Sequence, residues 1–166
     1  MSKPLDQARS LELAQQVKSK AKAPFENAHR GALAIKEATY VQGFLVIVGK
    51  RCSPREHAWL ELDDRVVDPS LPFLKGAVDT FYYFPAQRLT VKQLKAAIEE
   101  AKEDYPEDPP LPIYGAMPYE YYGDVMLGGR DYQQAFAAAQ AQCEASSQSS
   151  NGTKNGNGTQ NGKTSP

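Results

Sequence analysis

The sequence has little net charge to work with: 19 lysines and arginines stand against 20 aspartates and glutamates, for a formal charge of −1. A near-neutral balance provides no broad field of one sign, so neither nucleic acid nor an anionic membrane is expected as a partner. The lysines at 18, 20 and 22 are the best local basic patch, and they read more simply as the solvated end of a helix. Long apolar runs are also missing. The longest, Phe44 to Val48, is far too short to cross a bilayer, and Met1 to Ser10 lacks the apolar stretch of a signal peptide. Cysteine is scarce, at two residues, Cys52 and Cys143. They could pair, but nothing else in the sequence points to an oxidising compartment, so a cytoplasmic protein with free thiols is expected. Histidine is equally scarce, at two. A metal site assembled from His29, His57, Glu61 and Asp68 would have no recognisable ligand spacing, so no metal and no cofactor are expected.

What remains is enough for one domain. Apolar residues make up 41% of 166, sufficient for a core once the C-terminal stretch is set aside. From Ser146 onward the composition falls to Ser, Asn, Gly, Thr, Gln and Lys. Such a segment cannot bury enough surface to offset its ordering entropy, so residues 146–166 are expected to be a disordered tail behind a single unit at 1–145.

Within that unit, Leu5 to Ala21 has a loose amphipathic helical pattern, and Pro24 opens a second helix in its first turn, where a missing N–H is tolerated. Thr39 to Val48 is β-branched and aromatic and reads as a strand. His57 to Leu62 is a second strand, Asp63-Asp64 a tight turn, Arg65 to Asp68 a third strand and Thr80 to Phe84 a fourth. Thr90 is a candidate N-cap for a helix over Val91 to Glu103. Tyr105 to Pro118 carries five prolines and is expected to be a long loop, with a last helix from Arg130 to Ala145. Helices, then a small antiparallel sheet, then C-terminal helices make an α+β fold.

The stretch from Glu56 to Pro69 carries the most chemistry. Alternation along a strand puts His57, Trp59 and Glu61 on one face and Ala58, Leu60 and Leu62 on the other, toward the core. A two-residue turn at Asp63-Asp64 pairs Leu62 with Arg65 and Trp59 with Asp68. Asp68 then lies diagonally across from His57 on the same face, within side-chain reach. A carboxylate there would fix the imidazole tautomer and stabilise its charged form, as the orienting acid of a catalytic triad does. The plainer reading is a hairpin histidine hydrogen-bonded to a nearby aspartate.

His57-Ala-Trp59 opening a strand, followed by a turn and Val67-Asp-Pro-Ser70, resembles the papain-like and transglutaminase-like thiol hydrolases. The nearest are small bacterial and phage members in which His-x-Trp precedes Asp-Pro-Thr or Asp-Pro-Ser. Those members carry upstream a helix-opening Cys-aromatic-x-Asn-Ala segment and a Tyr-x-Glu-Gly strand. This chain has Pro24-Phe-Glu-Asn-Ala28 and Tyr40-Val-Gln-Gly43 in the same order. The resemblance spans roughly residues 22–85, so that 1–22 is an N-terminal helix, 23–85 the family core and 86–145 a C-terminal helical and aromatic part. It implies a remnant dyad of His57 and Asp68, with Tyr40, Gln42, Asn27 and Trp59 as possible binding residues.

The departure from the family is at position 24, where the nucleophilic cysteine should open the helix and proline stands instead. Proline removes the sulfur and a backbone N–H. In the family that amide helps to hold the oxyanion, a contribution of about 2.7–4 kcal/mol in rate. The expected function is therefore that of a pseudoenzyme, a non-catalytic binding or regulatory protein with a protein or peptide partner. One alternative is a cysteine-type amide or ester hydrolase that uses Cys52, in the basic stretch Lys50 to Arg55, with His57 and Asp68. Another is a structural or assembly protein. The tyrosines of Phe81-Tyr-Tyr-Phe84 and Tyr119-Glu-Tyr-Tyr122 read as half core and half surface, or as the lining of a groove for a peptide or sugar. Asp108-Pro-Pro-Leu-Pro112 reads as a stiff connector or a polyproline ligand.

Overall fold

The structure, a computed structural model, describes residues 3–122 and 125–155. Its centre is a four-stranded antiparallel sheet of β1 (Thr39–Ile47), β2 (Arg55–Leu62), β3 (Arg65–Val67) and β4 (Phe81–Thr90), in the order β3-β2-β1-β4. The helices are α1 (Gln7–Gln16), α2 (Pro24–Ala34), α3 (Val91–Asp104) and α4 (Arg130–Asn155). The architecture is α+β, as the element order predicts.

The β2–β3 hairpin has the expected register, Leu62 opposite Arg65 and Leu60 opposite Val67. Its two turn residues, Asp63 and Asp64, have φ of 52° and 59°. That is the left-handed pair a two-residue turn needs to match strand twist, and aspartate tolerates it.

Strand alternation divides the core. One face presents Tyr40, Ala58, Leu60, Leu62 and Val67 to α1, α2 and α3. Farther along that face, Phe44 and Val46 meet α4 through Tyr132, Ala135 and Ala139. The opposite face carries Val41, Leu45, Trp59, Val66 and Tyr83, packed against Leu5, Leu74 and Phe81. Chain flanking the strands, rather than a helix, supplies that cover.

Several expected bounds shift for local reasons. The first helix is shorter than Leu5 to Ala21. Leu5 instead forms a parallel bridge with Val66, where Asp6 N–H donates to Val66 O and Val66 N–H to Pro4 O, each at 2.8 Å. This addition covers the outer edge of β3, which would otherwise expose unpaired backbone. At the other end, Lys18 and Lys22 take positive φ. The Asn27 side-chain amide bonds both the N–H and the carbonyl of Lys20, at 2.9 and 2.8 Å. The three lysines thus belong to a fixed turn, not a frayed helix end.

β4 runs on to Thr90, six residues past the expected end at Phe84. It includes Pro85, which an edge strand can accept. The register with β1 shifts between Gln42 and Gly43, leaving Ala86 as an extra residue on β4, and a Cβ on Gly43 would come within 2.1 Å of the Phe84 carbonyl oxygen. Only glycine fits that approach. The Thr90 cap is present with its reciprocal partner Gln93.

Two elements differ more widely. Tyr119–Tyr122 (β5) and Val125–Gly128 (β6) pair as a separate two-stranded sheet. The last helix passes its expected end at Ala145 and continues to Asn155. The Ser146 hydroxyl donates back to the Gln142 carbonyl at 2.9 Å, so that residue joins the helical turn rather than leaving it. Residues 156–166 of the expected tail lie outside the described residues.

Candidate functional site

His57 leaves β2 on the face that holds Trp59, and Asp68 follows the last residue of β3. Their Nε2 and Oδ2 atoms are 2.8 Å apart. The diagonal relation predicted from the turn is what the structure contains. Asp68 is 0% exposed and His57 4%, so the pair is part of the interior.

The carboxylate is the hub of a wider array. The Tyr83 hydroxyl donates to the same Oδ2 at 2.8 Å, and the Ser70 N–H donates to Oδ1 at 2.9 Å. A carboxylate only accepts, so the bond from His57 places a proton on Nε2 and leaves Nδ1 as the ring's other nitrogen. The Asp68 N–H donates to Ser10 Oγ at 2.9 Å, and the Ser10 hydroxyl donates to the Asp6 carbonyl at 2.6 Å. Asn27 Nδ2 donates to Ser70 Oγ at 3.1 Å. Asp68 therefore ties β3 to the start of α1 and to α2. Burial, and then the adjacent Asp68 charge, push the Tyr83 phenol far above its usual value, so it remains a donor. The Trp59 ring lies nearly parallel to His57 at 6.2 Å and edge-on to Tyr83 at 5.0 Å, which holds the imidazole in one orientation.

Pro24 is the first residue of α2, as expected, and no side chain caps the helix at Ala23. The helix packs against the sheet face opposite His57, so closely that a Cβ on Gly31 would lie 2.9 Å from Leu60 Cδ1. Its link to the dyad runs through Asn27 and Ser70.

The four possible binding residues are all buried, and three bond to the protein's own chain. Asn27 holds Lys20 and Ser70. The Tyr40 hydroxyl donates to Gln42 Oε1 at 3.1 Å. Gln42 Oε1 also accepts from the Ile113 N–H at 3.1 Å, while its Nε2 bonds the Ile113 carbonyl and the Tyr132 hydroxyl. Tyr132 in turn donates to Gln87. This network fastens the proline-containing loop and α4 to the sheet, on the side away from His57. Trp59, 1% exposed, borders a cleft of about 400 Å³ together with Tyr83, Lys3, Arg88 and Glu61. Glu61 is bridged there by Lys3 Nζ at 2.6 Å and Arg88 Nε at 2.5 Å.

Cys52 is not the free loop thiol expected from the sequence. It is bonded to Cys143 across a separation of 91 residues, with Cα atoms 5.4 Å apart. The expectation of free thiols is corrected for both residues, while Cys143 itself, on α4, is buried in the core. The loop before β2 and the buried stripe of α4 meet beside Phe44, and chain proximity does not reveal that meeting. The residues sequence reasoning missed are Tyr83, Ser10 and Ser70, which complete the shell of Asp68. The only sequence signal for Tyr83 is its place in an aromatic strand, and the sequence does not show which strand lies beside β1.

Among the described residues, no group of three or more His, Cys, Asp or Glu side chains is arranged to hold a metal ion. No described helix is long and apolar enough to cross a membrane. Comparisons with protein-family models, curated proteins and solved structures give no match.

Proposed function

We propose that this chain is a non-catalytic binding or regulatory protein on a degenerate cysteine-hydrolase scaffold, acting on a protein or peptide partner. The observation that carries the reading is the lack of a thiol nucleophile. Proline occupies the helix-opening position, and Cys52 and Cys143 are joined to each other. A disulfide sulfur cannot act as the thiolate that such chemistry requires. The imidazole retains the acid that would orient it, but the pair is closed among Trp59, Tyr83 and Ser70 and serves as an internal brace. The cytoplasmic location expected from the sequence fits this reading less well than an oxidising compartment, where such a bond persists.

The test is hydrolysis. The protein and its His57→Gln variant, kept without reductant, are assayed on fluorogenic amides and esters. Both are expected to match the buffer rate. Turnover by the protein that His57→Gln abolishes while remaining folded would overturn the proposal.

A further inference from the structure

A group of exposed tyrosines lies away from the dyad. A groove of about 480 Å³ runs between α3, the loop at 105–118 and the β5–β6 hairpin. Its floor is the α3 stripe of Ala97, Glu100, Ala101 and Asp104, spaced so that one helix face lines the groove. Asp108 and the prolines after it form a wall, and Tyr105, Tyr114 and Tyr119 stand at its rim. Tyr105 is 66% exposed, and the other two are close to half exposed.

The charge of this groove is one-sided. Glu100, Asp104 and Asp108 line it, and no lysine or arginine does. Among the described residues, none of the three carboxylates has an ion-pair partner within 4.0 Å. Lys102, the basic residue of the last helical turn, lies instead near His29. There burial, and then the Lys102 charge, hold the imidazole below its usual value. Asp104 is also the last residue of α3, where the helix dipole is negative and an acidic side chain is unfavourable. An incoming cation would relieve all of these at once.

Exposed tyrosine rings beside unpaired carboxylates suit a guanidinium group in particular. It is planar, stacks on aromatic faces and bonds carboxylates in pairs. The proline and isoleucine wall offers apolar surface to the methylene stem of the same side chain. We propose that this groove binds an arginine side chain presented by an extended segment of a partner protein. The inference stands on the groove itself and does not depend on the hydrolase-like reading of the dyad.

The test uses the full chain and a fluorescein-labelled Gly-Arg-Gly-Arg-Gly peptide, read by fluorescence anisotropy. Matched peptides carry lysine or uncharged citrulline in place of arginine. Citrulline is expected to bind roughly ten-fold more weakly or worse, the loss of one charged hydrogen bond or more. Glu100→Gln with Asp104→Asn is expected to weaken the arginine peptide by a similar factor. Relieving repulsion at the helix end should leave this variant at least as stable as the parent, so its lost binding would not report unfolding. Tyr105→Ala should weaken binding and Tyr105→Phe should not, because the ring face rather than the hydroxyl is used. Neutralising the distant exposed pair Glu37 and Asp79 should change nothing. Absence of binding at about 1 mM peptide, equal binding of the lysine or citrulline peptide, or an equal loss in the distant variant would each overturn the proposal.

Discussion

Asp68→Ala is expected to lower the unfolding free energy by about 3–5 kcal/mol, because three buried groups would lose their acceptor at about 1–3 kcal/mol each. The aspartate accepts bonds from His57, Tyr83 and the Ser70 N–H. Alanine would leave all three groups unpaired where water does not reach them. Tyr83→Phe removes a single donor and keeps the ring that packs on Trp59, so it is expected to cost only about 1–2 kcal/mol. Urea unfolding of the two variants checks the order as well as the size. If Asp68→Ala cost less than Tyr83→Phe, the carboxylate would not be the hub of the array.

Removing the disulfide should have an effect of similar size by a different route. The Cys52–Cys143 bond closes a loop of 91 residues in sequence. The chain-entropy model assigns a loop of that length about 4–5 kcal/mol, most of it through the unfolded state. Cys52→Ser with Cys143→Ser is therefore expected to unfold at markedly lower urea concentration. Its folded state should still hold α4, because Tyr132, Ala135 and Ala139 remain buried against Phe44 and Val46, and Phe136 meets the Phe44 ring edge-on. Near-ultraviolet circular dichroism close to that of the parent, combined with the lower midpoint, is the expected pair of results. An unchanged midpoint would contradict it.

The central hairpin was legible because its rules are local. A strand period of two and a two-residue turn are enough to place Asp68 beside His57, and that is how they lie. The Pro24 start of α2 and the Thr90 cap follow from equally local chemistry. What the sequence concealed depends on tertiary placement. Tyr83 reaches Asp68 because β4 pairs with β1 rather than elsewhere, and Ser10 reaches it because α1 crosses beside β3. The disulfide joins a loop to a helix that composition places far apart. Trp59, Asn27, Gln42 and Tyr40 carry polar or aromatic groups of the kind that bind ligands. Burial turns three of them into internal connectors and leaves Trp59 at the margin of a cleft. Alternation at Tyr119-Glu-Tyr-Tyr122 reads as a strand, and β5 lies there, but it is mostly exposed rather than half core, and its partner β6 carries no comparable signal.

Neither cysteine is a free nucleophilic thiol, and alkylation tests that directly. The protein, isolated without reductant, is treated with a mild alkylating agent between about pH 5 and 9, the span over which an activated thiol would ionise. Intact mass is then read for the parent and for His57→Ala. No adduct at Cys52 or Cys143 is the predicted result, with two appearing only after reduction and unfolding. A fast adduct at Cys52 near neutral pH, lost in His57→Ala, would contradict the account and restore a working thiol to the His57–Asp68 pair.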